Sequence, residues 1–212
     1  EALAAFNKEL AGDEPGTEIV AHIDTGYSND FTPEHGNQAA SSIANTMRVL
    51  SGVDLVFMQS CYVANDIYVG DYSQKDLGYI AKNDGGWPGL MELTGDQIYT
   101  LVERTLSMTG NRGAVCNDST LYVSSGFEMD ITKNDSGYTL NALTIDGKEL
   151  DRNASYSFLI YGDRDWYMSD VMEQMGVSEV DSTGPKAEGY LLQRLVEEGE
   201  QLEPPTDYIT LR

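Results

Sequence analysis

Phe127-Glu128-Met129-Asp130-Ile131-Thr132, then Asn134-Asp135-Ser136-Gly137, then Tyr138-Thr139-Leu140-Asn141-Ala142-Leu143-Thr144-Ile145, then Asp146-Gly147: two strand runs alternate with two turns. Asn, Asp, Ser and Gly bunch at the breaks because they tolerate the tight backbone angles of turns. Leu121 to Val123 precedes this stretch and Tyr156 to Ile160 follows it, so Thr120 to Ile160 reads as mostly antiparallel sheet.

Outward from that block the period changes. Glu1 to Leu10 carries Leu3, Phe6 and Leu10 at helical spacing, and Glu18 to Asp24 reads as a strand. Gly26 to Gly36 is a loop, after which Ala40, Ile43, Met47 and Leu50 mark a helix that stops at Gly52. Asp54 to Met58 is a short apolar strand, Gln59 to Asp66 a loop, and Ile67 to Val69 another extended piece. Ser73-x-x-Asp76 and Thr94-x-x-Gln97 are capping boxes, and the second opens a helix with Ile98, Leu101, Val102 and Leu106 on one face. Leu90 to Leu93 reads as a strand, Trp166 to Met175 and Pro185 to Glu198 as helices, and Tyr208 to Leu211 as a final strand. The class is α+β, a mixed sheet with flanking helices.

At 212 residues the chain suits one well-packed domain. It opens on Glu1, inside what reads as a helix, so the expectation is a domain separated from an upstream portion. Thirteen basic against thirty-five acidic residues give a net charge of −22, a field that repels nucleic acid and anionic membranes. Affinity for an anionic ligand must then come from local groups or from cations of another domain. No apolar run approaches the ~20 residues of a membrane span. The two cysteines, Cys61 and Cys116, could pair in an oxidising compartment, and their number alone leaves that open.

Candidate catalytic patterns are few. No Gly-x-Ser-x-Gly, Cys with His, or acid–base pair of carboxylates on one element stands out, Asp-x-Asp-x-Asp-Gly calcium loops are absent, and Glu197, Glu198 and Glu200 read as a solvated helix face rather than an acid–base pair. His22 and His35 lie outside any Asp-x-His or Gly-Asn-His-Glu/Asp arrangement and are expected in surface or loop roles. The sequence therefore assigns no catalytic residue and no metal ligand.

Several phrases, in order, resemble the C-terminal domain of 5′-nucleotidases, UDP-sugar hydrolases and 2′,3′-cyclic-nucleotide phosphodiesterases. Asn37 to Arg48 is similar to that family's first helix, and Val53-Asp54-Leu55-Val56 to the strand behind it. Gly70-Asp71-Tyr72-Ser73-Gln74-Lys75-Asp76-Leu77 resembles "G-x-I-T-x-x-D-L", and Leu93-Thr94-Gly95-Asp96-Gln97-Ile98 resembles "L-T-G-x-x-L". Ser124-Ser125-Gly126-Phe127 looks like "S-G-G/S-G-F", and Ile145 to Leu150 followed by Tyr156 looks like "v-x-G-K-x-L…Y". The resemblance implies residues 1–36 as a lead-in of helix, strand and loop, and 37–212 as the substrate-specificity domain of a bacterial, extracellular, periplasmic or cell-surface phosphohydrolase. Its partner would be an N-terminal metallophosphoesterase domain holding two divalent metal ions, and its ligand a nucleotide or sugar nucleotide. The alternative is a decayed copy that keeps the fold as a non-enzymatic binding or structural module.

Three loops of the family's pocket map onto this chain with departures. Its Asn-x-Gly-Gly-x-Arg loop corresponds to Gln59-Ser60-Cys61-Tyr62-Val63-Ala64, where Gln59 keeps hydrogen-bonding capacity and the arginine is absent. Asn83 and Asp84 stand where the family has a Pro-Phe stacking pair, and Trp87 nearby either replaces the platform or packs beneath its loop. The "G-G-D-G-F/Y" loop corresponds to Tyr161-Gly162-Asp163-Arg164-Asp165-Trp166, with Asp163 as the polar reader, Tyr161 as a flat ring, and Trp166 as either a second ring or a core residue. The expectation is that Gln59 to Ala64, Asn83 to Gly89 and Tyr161 to Trp166 meet in space.

Overall fold

Two four-stranded sheets, each mixing parallel with antiparallel pairs, organise the described residues. The computed structural model describes residues 16–81, 86–108, 122–135, 137–163, 169–177 and 180–212. The first half holds β1 (Ile19–Ile23), β2 (Phe31–Thr32), β3 (Gly36–Asn37), α1 (Gln38–Ser51), β4 (Leu55–Gln59), β5 (Gly70–Ser73), α2 (Gln74–Ile80), β6 (Gly86–Thr94) and α3 (Gly95–Met108). The second half holds β7 (Tyr122–Ser125), β8 (Glu128–Asn134), β9 (Gly137–Ile145), β10 (Lys148–Glu149), β11 (Ser155–Asp163), α4 (Ser169–Gln174), α5 (Ala187–Leu192) and β12 (Ile209–Leu211).

The central sheet runs β6-β11-β4-β7. All five residues of β4 are buried, as expected of a strand covered on both faces. β11 lies parallel to β4 from Phe158 opposite Leu55 to Tyr161 opposite Met58, and antiparallel to β6 from Ser155 opposite Thr94 to Asp163 opposite Gly86. Phe127 closes over one face, its ring centroid 6.0 Å from that of Phe57 and 6.5 Å from that of Phe158. The turn-rich block forms the second sheet, β10-β9-β8-β12, in which β8 and β9 pair antiparallel and β12 joins β8 in parallel.

Both capping boxes form. Asp76 N–H donates to Ser73 Oγ at 3.2 Å while Ser73 N–H donates to Asp76 Oδ2 at 2.9 Å. Likewise Gln97 N–H donates to Thr94 Oγ1 at 3.3 Å and Thr94 N–H to Gln97 Oε1 at 2.8 Å. These reciprocal bonds occupy donors that a helix start leaves unpaired. Gly52 ends α1 in the left-handed region at φ 68°, which a residue without Cβ adopts at little cost.

Some sequence boundaries move. The loop expected over Gly26 to Gly36 contains the short β2–β3 pair, and Tyr27 exchanges two backbone hydrogen bonds with Ile67. The extended piece expected at Ile67 to Val69 falls instead at Gly70–Ser73, because those residues pair with β1 and Ile67 makes an isolated bridge to Tyr27. The helix expected from Pro185 to Glu198 begins at Ala187 and widens into a π turn over Gln193–Glu197, with Glu198 N–H donating to Gln193 C=O at 3.0 Å. Glu1 to Leu10 lies outside the described residues.

α1 is buried on its polar side as well as its apolar side. Ser42 Oγ donates to Glu203 C=O at 2.6 Å, Asn45 Nδ2 to Pro204 C=O at 2.7 Å, and Thr206 N–H to Ser41 Oγ at 3.0 Å. An extended C-terminal segment thus lies along the helix, and Arg194 secures it through Glu198 at 3.0 Å and Glu203 at 2.6 Å.

Candidate ligand site

Because β4 and β11 are parallel, their C-terminal ends lie together, and antiparallel β6 begins at the same end. In sheets with parallel strands, loops beyond the carboxyl ends are where ligands gather. Trp87 pairs with Gly162, Tyr161 pairs with Met58, and Gln59 pairs with Tyr122. Trp87, Gly162, Gln59 and Tyr122 therefore form one row across all four strands, on one face of the sheet. The anchors of all three expected loops meet in that row.

Gly162 shapes the row. A Cβ placed there would lie 3.1 Å from Gln59 Oε1 and 3.8 Å from the Tyr122 hydroxyl. The Gln59 carboxamide thus lies across the glycine, toward the strand that carries Trp87. Gln59 and Tyr122 are buried, and the Tyr122 ring stacks on Phe57 at 4.5 Å, whereas Trp87 is 40% exposed. The row offers one accessible aromatic ring, one carboxamide and one phenol. These are groups that bind rather than groups that break bonds.

Tyr161 occupies the opposite face, since neighbouring strand residues alternate. It is fully buried, meets Tyr62 edge-on at 5.7 Å and 89°, and accepts a hydrogen bond from Ala187 N–H at 3.0 Å. Burial pushes its phenol pKa up, so the hydroxyl stays neutral. The sequence expectation of a ligand-facing ring at Tyr161 gives way to a core ring, because that side chain is closed in by Tyr62 and by the start of α5. Its hydroxyl instead fixes the start of α5, and the residue there, Lys186, holds its Nζ 5.1 Å from the centroid of the Trp87 ring. Lys186 was not among the expected site residues. It lies 20 residues beyond Trp166, at the start of the stretch read as a helix from Pro185, and nothing in its local sequence marks it.

The turn after β4 runs Ser60–Tyr62, with Tyr62 and Val63 buried, and Ala64 N–H donates to Ile80 C=O at 2.7 Å. Ser60 Oγ is buried and has no hydrogen-bond partner among the described residues. Cys61 in this turn is disulfide-bonded, and Cys116, the only other cysteine, lies outside the described residues. Asp163 ends β11 opposite Gly86. Asn83, Asp84 and Trp166 lie outside the described residues. A second concavity, an open groove lined by Val53, Leu90, Gln97, Ser157, Val177 and Asp181, sits toward the opposite end of the same strands and contains none of the expected site residues.

The histidines stand apart on the surface. His22 Nδ1 is 2.6 Å from Asp71 Oδ1 and His35 Nδ1 is 3.1 Å from Asp207 Oδ1. The hydrogen bond to Asp71, with its charge, raises the His22 pKa. Among the described residues no group of three or more His, Cys, Asp or Glu is arranged to hold a metal ion.

Comparison with known proteins bears directly on this architecture. The family model described as 5′-nucleotidase, C-terminal domain, matches residues 19–162.

The chain belongs to that family.

The 5′-nucleotidase C-terminal domain match starts within the stretch read from sequence as a lead-in and takes in Gln59, Trp87 and Tyr161. Lys186 and the C-terminal segment on α1 lie beyond it. Among solved structures, a 5′-nucleotidase precursor from Thermus thermophilus is 14% identical with a TM-score of 0.70, covering 99% of this chain and 42% of that one. An NAD nucleotidase from Haemophilus influenzae is 15% identical with a TM-score of 0.71, covering 99% and 40%. The sulfate thiohydrolase SoxB from Thermus thermophilus is 16% identical with a TM-score of 0.68, covering 99% and 38%. At such identities the likeness establishes the fold. This chain spans about two fifths of the length of these relatives. No curated protein matches it in sequence.

Proposed function

We propose that this domain selects the substrate of a secreted, bacterial, metal-dependent phosphohydrolase of the 5′-nucleotidase type, and performs no hydrolysis by itself. Its ligand is a nucleotide or sugar nucleotide, whose ring stacks on Trp87 while Gln59 and Asp163 read polar edges. An N-terminal metallophosphoesterase domain with two divalent ions would hold the phosphate and activate water. Membership of the family and the two-fifths span of the larger relatives support a partner domain. The names of two of those relatives, a 5′-nucleotidase and an NAD nucleotidase, favour a nucleotide ligand. The disulfide at Cys61 suits an extracellular, periplasmic or cell-surface setting.

One observation carries the reading: an accessible indole stands in a sheet row with a carboxamide, at the carboxyl ends of two parallel strands. Stacking of a base on an aromatic is worth on the order of 1–3 kcal/mol, so the chain alone should bind a nucleoside weakly, near millimolar. The test is titration with adenosine and uridine followed by amide NMR, with Trp87→Ala as control. Shifts centred on Trp87, Gly162 and Gln59, lost in the variant, are expected. Shifts elsewhere, or none, would overturn the reading in favour of a module that kept the fold without the ligand. That second reading is favoured by the burial of Tyr62 and Val63, which gives the turn after β4 a packing role of its own.

A further inference from the structure

Three asparagines stand in Asn-x-Ser triplets: Asn117-Asp118-Ser119, Asn134-Asp135-Ser136 and Asn153-Ala154-Ser155. Such a triplet is the acceptor pattern for N-linked glycan transfer on exported chains. Asn153 alone of the three also has an acidic residue two places ahead, Asp151, which bacterial transferases of this kind select as well. Asn117 lies outside the described residues, and the structure separates the other two. Asn134 ends β8 opposite Gly137 and donates from Nδ2 to Thr139 Oγ1 at 2.8 Å. Asn153 occupies the turn before β11, where it and Ser155 are both exposed and neither side chain makes a hydrogen bond among the described residues.

The turn is held so that this carboxamide projects. Asn153 N–H donates to Asp151 Oδ1 at 2.9 Å, and on either side Arg152 C=O accepts from Asp96 N–H at 2.9 Å and Ala154 C=O from Gly95 N–H at 3.0 Å. Gly95 lets the turn seat this closely on the start of α3, since a Cβ there would collide with the Asp151 carbonyl oxygen. Arg152 is drawn away from Asn153, onto the Tyr99 ring at 3.7 Å from its centroid and onto Asp96 Oδ1 at 2.9 Å. β11 then runs from Ser155 to Asp163, which sets the turn about 25 Å from the end of the strand where Gly162 pairs with Trp87.

We propose that Asn153 is an N-glycosylation site. Its Nδ2 attacks the anomeric carbon of a glycan carried on a polyprenyl diphosphate. The nitrogen–carbon bond forms, the bond from that carbon to the diphosphate oxygen breaks, the lipid diphosphate leaves with the electron pair, and an amide proton passes to a base of the transferase. Transfer belongs to the newly exported chain, because in the folded domain the carbonyls on both sides of Asn153 are already engaged. The fold supplies a place for the product: an exposed carboxamide with no internal partner to lose, on a surface that the ligand row does not use. The inference rests on the extracellular, periplasmic or cell-surface setting proposed above, which the disulfide at Cys61 supports.

Trypsin cuts after Lys133, Lys148, Arg152 and Arg164, so residues 134–148 and 153–164 are released as separate peptides. The chain is purified from the envelope of its native cells, its thiols are titrated without reductant, and its peptides are mapped by mass spectrometry. The 153–164 peptide should carry a glycan mass that fragments to sugar oxonium ions, and the 134–148 peptide should carry none. Asn153→Gln and Ser155→Ala should abolish the modification, and Ser155→Thr should retain it. An unmodified 153–164 peptide in a chain whose cysteines are paired overturns this inference and leaves the proposed setting standing. An unmodified peptide together with two free thiols overturns the setting as well, and a sugar that persists in Ser155→Ala overturns the N-linked assignment.

Discussion

Asp54 and Ser157 clasp the starts of the two parallel strands through three hydrogen bonds. The Asp54 carboxylate accepts from Ser157 N–H at 2.9 Å and from its hydroxyl at 2.8 Å, while Ser157 Oγ accepts from Asp54 N–H at 2.9 Å. The clasp sets the relative start of β4 and β11, and that start fixes which residues share the row at their far ends.

The clasp should be visible in acid. The hydroxyl and amide of Ser157 favour the charged carboxylate and hold the Asp54 pKa below its ordinary value. Its stabilisation is therefore complete above the unfolded pKa near ~3.9 and is lost as pH falls through the lower folded value. Ser157→Ala should cost about 1 kcal/mol at neutral pH, and the deficit should narrow as pH falls through that range. Urea midpoints measured at neutral pH and below 4 check this, and a deficit independent of pH would contradict it.

Gly162→Ala should impair the site more than the fold. The new methyl would sit 3.1 Å from Gln59 Oε1, tight enough to push the carboxamide away while the backbone pairing with Trp87 and β4 stays intact. Nucleoside affinity should fall by about tenfold, with a stability change within ~1 kcal/mol. A large loss of stability with unchanged ligand shifts would place the glycine's role in folding.

Tyr208→Phe should loosen the C-terminal segment. The buried hydroxyl accepts from Asn37 N–H at 2.9 Å, at the residue that caps α1. Removing it leaves a buried donor unpaired, at about 1–3 kcal/mol. Faster amide exchange at Asn37 and Ile209 is the expected local signature, alongside a lower urea midpoint.

Local devices were legible because their partners lie close in sequence. Ser73 with Asp76 and Thr94 with Gln97 cap their helices as read, and Gly52 and Gly199 end theirs at φ 68° in both cases. The meeting of three loop anchors was legible only through the family resemblance, since Gln59, Trp87 and Gly162 have no spacing rule in common. Tyr161 shows where that route ends. Strand alternation places it opposite Gly162, but which of the two faces the site depends on where α5 packs.

By itself the sequence determined the α+β class and most of the longer helices and strands, which follow from periodicity and turn chemistry, and the family, which follows from the resemblance of its ordered local phrases. Only the tertiary structure decided what each face is for. Ser41, Ser42, Asn45 and Thr46 would read as a solvated face of α1, yet each is buried, because backbone carbonyls and amides of residues 203–206 use the same hydroxyls and carboxamide as partners. Lys186 reaches Trp87 for a similar reason. A buried phenol 26 residues earlier anchors the start of the helix, and this brings Lys186 to a ring 99 residues before it in the chain, a juxtaposition that packing sets and no local pattern encodes.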